Sequence, residues 1–329
     1  MKHFALTMGF VAGLALTGSS FSESQALDAV ATTGMVADVV AKVGGDCANV
    51  TMLMGPGIDP HLYRASAGDV ETLSRADIIF YNGLNLEGQL GEVLSRLGQR
   101  VPTVAVAEGA VAEGAVAEEH LLEGEDAFEG QPDPHLWMDA SLWARTAEVV
   151  AAALGEQRPE CADDMTARAE SYRAQLMALH DWVAESIASI PEAQRVLVTA
   201  HDAFTYFSQA YDIEVAAIEG ISTEAEASLA DIREAADTVV ETGVPAIFVE
   251  TTINPRTIEA VQAAARDRGA EVVIGGELFG DAMGEEGSAE GSYIGMIRSN
   301  TVTIVGALGG EVAAWPEALA DWAESWDMP

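Results

Sequence analysis

Two stretches of this 329-residue chain carry almost the same five residues, Asp59-Pro60-His61-Leu62-Tyr63 and Asp133-Pro134-His135-Leu136-Trp137. In each, the proline has a fixed φ and restricts the Asp before it, which dictates how the following imidazole is presented. A single such histidine reads first as a hydrogen-bonded structural residue. The same presentation made twice points instead to a shared task, and metal ligation through imidazole nitrogen is the chemistry that fits. Asp59 and Asp133 are placed to brace the backbone or to hold an imidazole in one tautomer. A third histidine, His201, follows an apolar run in Thr199-Ala200-His201-Asp202-Ala203-Phe204, and the ends of strands in open α/β sheets are where ligands bind. Asp281, in Gly275-Gly276-Glu277-Leu278-Phe279-Gly280-Asp281, offers a carboxylate, although an Asp in that setting reads equally well as a helix N-cap. Three neutral imidazoles and one carboxylate suit zinc and can also hold manganese. The four residues are far apart in the chain, so spacing alone does not bring them together.

What must position them is an alternation of strand and helix. Residues 29–40 read as a first strand leading into a helix, and 50–53, 78–81 and 103–106 as further strands of a first series, with helical periodicity over 69–75 and 87–97 between them. Helical spacing returns over 141–154 and, past Pro159, over Cys161 to Ile187, a stretch long enough to join two halves. A second series follows, with strands at 196–199, 215–218, 246–249 and 271–274 and helices at 229–242, 255–268 and 293–308. The expected class is α/β, two lobes each built on a parallel sheet flanked by helices. Residues 107–131 contain the near-duplication Val106-Ala107-Glu108-Gly109-Ala110 and Val111-Ala112-Glu113-Gly114-Ala115, then an acidic stretch, and read as a surface loop. Trp315, Trp322 and Trp326 have helix-compatible spacing and are expected to pin the C-terminal helix to its lobe.

Composition narrows the function. Sixteen Lys and Arg against 53 Asp and Glu give a net charge of -37, a surface that repels phosphate backbones and anionic lipid. Such a spread of carboxylates reads as solvation more than as a metal trap. The N-terminus, with Lys2, an apolar run from Phe4 to Leu16 and the small residues around Ser24-Gln25-Ala26, has the form of a secretory signal over residues 1–26. Thr17-Gly18-Ser19-Ser20 stands where a lipoprotein would carry its Cys, so a freely soluble exported protein without lipid anchor is expected. The two cysteines, Cys47 and Cys161, permit one disulfide in an exported chain.

Several of these motifs together resemble the zinc- and manganese-binding solute receptors of ABC importers. The resemblance is carried by Leu53-Met54-Gly55-Pro56-Gly57 with Asp59-Pro60-His61, Ile79-Phe80-Tyr81-Asn82-Gly83-Leu84, Asp133-Pro134-His135-Leu136-Trp137, Thr199 through Phe204, Glu219-Gly220-Ile221-Ser222-Thr223, Ile247-Phe248-Val249-Glu250 and Gly291-Ser292-Tyr293-Ile294-Gly295-Met296. It implies a signal peptide (1–26), an N-terminal lobe (27–160), one long linking helix (161–190) and a C-terminal lobe (191–329). It further implies one Zn2+ or Mn2+ per chain held in the cleft by His61, His135, His201 and Asp281, a monomer in the periplasm, and a permease of the inner membrane as partner. Some manganese-selective relatives carry Glu at the position of His201, while zinc-dedicated ones often have a His-rich loop where this chain is acidic; the two departures pull in opposite directions. Glu250 and Arg256 read as structural, and His120 and His180 as solvated. The chain is not expected to be an enzyme. Two other readings stand beside this one: a zinc hydrolase, which would need an open coordination position and a general base and lacks a His-Glu-x-x-His helix here, and an exported metal chaperone or adhesin without a transporter.

Overall fold

The computed structural model describes residues 26–112, 122 and 132–328. The signal-like segment up to residue 25, and with it His3, lies outside the described residues, as does most of the acidic stretch with His120. Leu27–Ala31 forms β1, Ala48–Met52 β2, Ile78–Tyr81 β3 and Thr103–Ala105 β4, hydrogen-bonded in the order β2-β1-β3-β4 with every pair parallel. Parallel pairing requires crossovers that cover the faces of the sheet. Here they are α1 (Gly34–Gly44), α2 (Ala67–Arg75) and α3 (Gly91–Leu97). Ser66 and Asp69 close a reciprocal cap at the start of α2, satisfying amides that would otherwise be orphaned.

Two expected elements begin or break elsewhere. The helix expected from residue 87 starts only at Gly91, because the buried Glu87 carboxylate gathers the chain before it. That carboxylate accepts from Thr32 Oγ1 at 2.7 Å, Asn82 N at 2.8 Å and Gly83 N at 3.2 Å. The helix expected over 141–154 is two, α5 (Ala140–Trp143) and α6 (Thr146–Gln157), with Thr146 Oγ1 donating to Trp143 O at the break. The loop expected from residue 107 opens instead as helix α4, Val106–Ala112. Val106, Ala107 and Ala110 are buried on one face of it, and this packing outweighs the one glycine within it, Gly109.

Helix α7, Ala162–Ala188, runs 27 residues, roughly 40 Å at 1.5 Å per residue. It packs on α1 and α6 on one side and on α8 (Thr205–Tyr211) and α11 (Tyr293–Ala307) on the other. Met165, Leu176, Leu179 and Val183 of α7 share one core with Val36 and Leu154 before it and Phe207, Ile297 and Ile304 after it. The disulfide Cys47–Cys161 ties the turn after α1 to the head of this helix.

The C-terminal lobe pairs β5 (Val196–His201) with β6 (Glu214–Glu219), and β7 (Ala246–Glu250) with β8 (Val273–Leu278), both parallel, with β5 beside β7. Helices α9 (Leu229–Thr242) and α10 (Arg256–Asp267) provide crossovers. Gly275 and Gly276, which read as the end of a strand, lie inside β8 opposite an irregularity at Ile247/Phe248. A Cβ on Gly275 would stand 2.8 Å from Phe248 Cε1 and from Ala307 Cβ, so the glycines serve close packing here and not a turn. Helix α8 had no counterpart in the sequence reading.

The last helix, α12, spans Ala320–Ser325. Trp315 precedes it and sits between Trp182 of α7 and Trp322, at centroid distances of 4.8 and 5.5 Å. The tryptophans therefore fasten the C-terminus to the long helix as well as to its own lobe. No helix among the described residues is long and apolar enough to cross a membrane.

Candidate metal centre

His61 lies in the loop after β2, His135 in the turn before α5, His201 at the last position of β5, and Asp281 in the loop after β8. Each stands at or beyond the C-terminal end of a strand or strand-helix unit, where the two lobes face each other. His61 Nε2 is 3.4 Å from His135 Nε2 and 3.4 Å from Asp281 Oδ2. Asp281 Oδ1 is 3.2 Å from His135 Nε2, and Oδ2 is 3.2 Å from His201 Nε2. One atom from each of the four residues lies within 4.8 Å of the other three, and all four side chains are buried. Four ligands with metal bonds of about 2.0–2.2 Å in a tetrahedron sit roughly 3.3–3.6 Å apart, close to the spacings found.

In His135 and His201 the ring nitrogen turned away from this point is held by a carboxylate. Asp133 Oδ1 accepts from His135 N at 2.9 Å and stands 2.7 Å from His135 Nδ1. Glu250 Oε1 accepts from the backbone N–H groups of Ala200 and His201, both at 2.9 Å, and Oε2 lies 2.7 Å from His201 Nδ1. A proton kept on Nδ1 leaves the Nε2 lone pair aimed at the shared point. Asp59 Oδ1 accepts from His61 N at 2.8 Å and braces the loop rather than the ring.

The buried atoms without a hydrogen-bond partner include His201 Nε2 and both Asp281 oxygens. Such atoms are costly to bury unless a cation or proton satisfies them. Burial pushes the Asp281 carboxyl up, but His201 and His135 outweigh it and hold it well below its ordinary range. Burial pulls His135 down; Asp133 and then Asp281 outweigh it and lift it to about 9. His201 rises well above its ordinary value for the same reason, with Glu250 and Asp281 overcoming burial. The carboxylates thus favour positive charge, whether proton or metal, at the His135 and His201 nitrogens that face the shared point.

Cross-lobe contacts frame the site. Trp137 Nε1 donates to Gly280 O at 3.0 Å, and Tyr293 Oη donates to Trp137 O at 2.7 Å. A Cβ on Gly280 would come within 2.4 Å of Glu250 Oε2 and 3.3 Å of His201 Cε1, so only glycine lets the Asp281 loop approach.

All four residues expected as ligands meet here, and Asp281 caps no helix. Glu250, read as structural, lies against the His201 ring; an ionisable residue ending the apolar strand Ala246–Glu250 was the available signal. His180, read as solvated, stands 3.2 Å from Asp139 Oδ1 and packs on Tyr211. Arg256 is exposed at the start of α10, away from the site.

Known proteins share this arrangement of lobes. Residues 29–307 match the family described as zinc-uptake complex component A, periplasmic. The chain is 41% identical over 314 residues to the manganese-binding lipoprotein MntA of Bacillus subtilis, covering 94% of this chain and all of that one. It is 44% identical over 279 residues to the zinc-binding protein TroA of Treponema pallidum, covering 85% of this chain and 88% of that one. The solved structure of the periplasmic zinc-binding protein TroA superposes with a TM-score of 0.81 over 86% of this chain and 99% of that chain. The two-lobed fold, the family match across nearly all of the described residues and these relatives agree: the chain belongs to the periplasmic zinc-uptake component A family of metal-binding proteins.

Proposed function

We propose that this chain is the extracytoplasmic receptor of a metal importer: it captures one zinc or manganese ion between its lobes, with His61, His135, His201 and Asp281 as ligands, and delivers it to the permease of an ABC transporter. The observation that carries this reading is the buried convergence of three imidazole nitrogens and a carboxylate from four separate loops and strand ends. The relatives' names supply both metals, manganese for MntA and zinc for TroA, and the donor set serves either. For equal geometry the ordinary affinity order of divalent metals favours zinc. The test is calorimetry on chelator-stripped protein with each metal, joined to elemental analysis of the protein isolated from its native compartment. Failure of both metals to bind would remove the reading.

The boundaries of its parts follow the same proposal: a signal over 1–26, lobes over 27–160 and 191–329, and the link over 161–190 around α7. Several relatives are named lipoproteins. A lipid on cysteine needs a thiol, and Cys47 and Cys161 are bonded to each other, so neither offers one, which favours a receptor free in the periplasm. Recovery of the native protein in the membrane pellet after osmotic shock would reverse that part alone. A hydrolase would need a carboxylate free to activate water on the metal side. Asp133 and Glu250 stand instead behind their imidazoles, at the Nδ1 atoms, which favours holding an ion over turning over a substrate.

A further inference from the structure

Asp59 makes two kinds of contact at once. Through Oδ1 it accepts from His61 N at 2.8 Å and from Leu62 N at 3.4 Å, fixing the turn that presents the imidazole. Through Oδ2 it accepts from Thr223 Oγ1 at 2.6 Å. Thr223 belongs to the other lobe, in the turn that follows β6. Thr223 is buried as a residue, its bond to Asp59 is partly buried, and an O–H to carboxylate bond of that length is charge-assisted.

The setting separates this bond from the deeper cross-lobe contacts. Trp137, Tyr206 and Tyr293 are fully enclosed near α7. The Asp59 loop lies at the rim, where its neighbours Ile58 and Leu62 are exposed. A small separation of the lobes therefore acts first on the rim bond.

We propose that Asp59 and Thr223 form a latch that ties the placement of His61 to lobe closure, a positioning role resting on the metal-receptor reading above. With the lobes closed, the Thr223 hydroxyl fixes the carboxylate, and the carboxylate fixes the backbone of His61. When the lobes part, the hydroxyl withdraws, the brace loosens, and His61 is freed to leave the ion.

The experiment follows zinc release into excess chromogenic chelator by stopped flow, using the full chain. Thr223→Val keeps the shape of the side chain and removes its hydroxyl. It is expected to release zinc roughly tenfold faster, the scale of one hydrogen bond to a charged group, with the melting temperature of the metal-free protein unchanged. Thr223→Ser, which keeps the hydroxyl, restores slow release, and Thr223→Ala matches the valine variant. In an Asp59→Ala background the valine substitution is expected to add nothing. Equal release from wild type and both hydroxyl-less variants overturns the latch, and so does equal acceleration with and without Asp59. Failure of the wild-type protein to retain either zinc or manganese on dialysis would instead overturn the receptor reading itself.

Discussion

The two Asp-Pro-His-Leu-aromatic segments share their local chemistry and differ in almost everything the rest of the molecule does to them. In both, an Asp oxygen accepts from the backbone N–H of the His two residues on, at 2.8 and 2.9 Å. In the second copy Leu136 is 0% exposed, Trp137 is equally enclosed, and Asp133 also holds the imidazole ring. In the first copy Leu62 is 48% exposed, and the second oxygen of Asp59 reaches across the cleft to Thr223. One motif thus yields a histidine set in the core and a histidine set on a rim loop. The local turn presents the ring, and the surroundings decide how rigidly.

This contrast breaks or sharpens under substitution. The largest effect is expected from His135→Ala, which should weaken metal binding by more than about a hundredfold, beyond what loss of a supporting carboxylate costs. It should also lower the melting temperature, because the buried Asp133 carboxylate loses its ring partner and keeps only the backbone N–H of residue 135. Calorimetry and thermal melts on stripped protein check both, and a stability loss from His61→Ala as large as that from His135→Ala would erase the distinction drawn here. Next, Leu136→Ala should cost about 2–5 kcal/mol of folding stability, as for other enclosed leucines, read by denaturant unfolding.

Third, Asp133→Asn removes the anionic partner of His135 Nδ1 and should weaken metal affinity roughly 10- to 100-fold. Asp59→Asn keeps an oxygen for the His61 amide and should cost less.

A fourth effect concerns protons. With its pKa raised to about 9, His135 holds a proton through neutral pH that a metal ion must displace, as does His201. Affinity should therefore climb with pH by about tenfold per unit for each displaced proton, and His135→Ala should lower that slope by one proton. For the metal-free protein the sign is opposite. A raised histidine pKa contributes stability below the ordinary value near 6.5 and loses it as pH rises through about 9. Melting curves with and without metal across that window should diverge upward. The smallest effect belongs to Leu62→Ala, within about 0.5 kcal/mol of wild type, in contrast to the same change at Leu136.

Much of the fold was legible because its signals were local. The buried strand Ile78–Tyr81 and the helix Leu229–Thr242 fall where the apolar periodicity puts them. The helix Val106–Ala112 did not, because its repeat and the acidic stretch after it read as a loop, while the burial that stabilises it comes from α6, about forty residues later. The end of β8 was misplaced for a similar reason: Gly275 and Gly276 read as punctuation, and only the approach of α11 explains them as strand residues. At the site, His61 and His135 were legible from their duplicated motif. Asp281 was ambiguous with a cap until its oxygens were seen between three imidazoles.

By itself the sequence determined the donor types, the proline-fixed presentation of two of the histidines, the α/β alternation and the presence of two thiols able to pair. These are properties of residues and their immediate neighbours. The tertiary structure decided that the four donors share one buried point, that Asp133 and Glu250 stand behind their rings, and that Thr223 reaches Asp59. Those facts depend on the packing of segments up to about 220 residues apart, such as His61 and Asp281, and no local rule relates such segments until the core around α7 brings the lobes together.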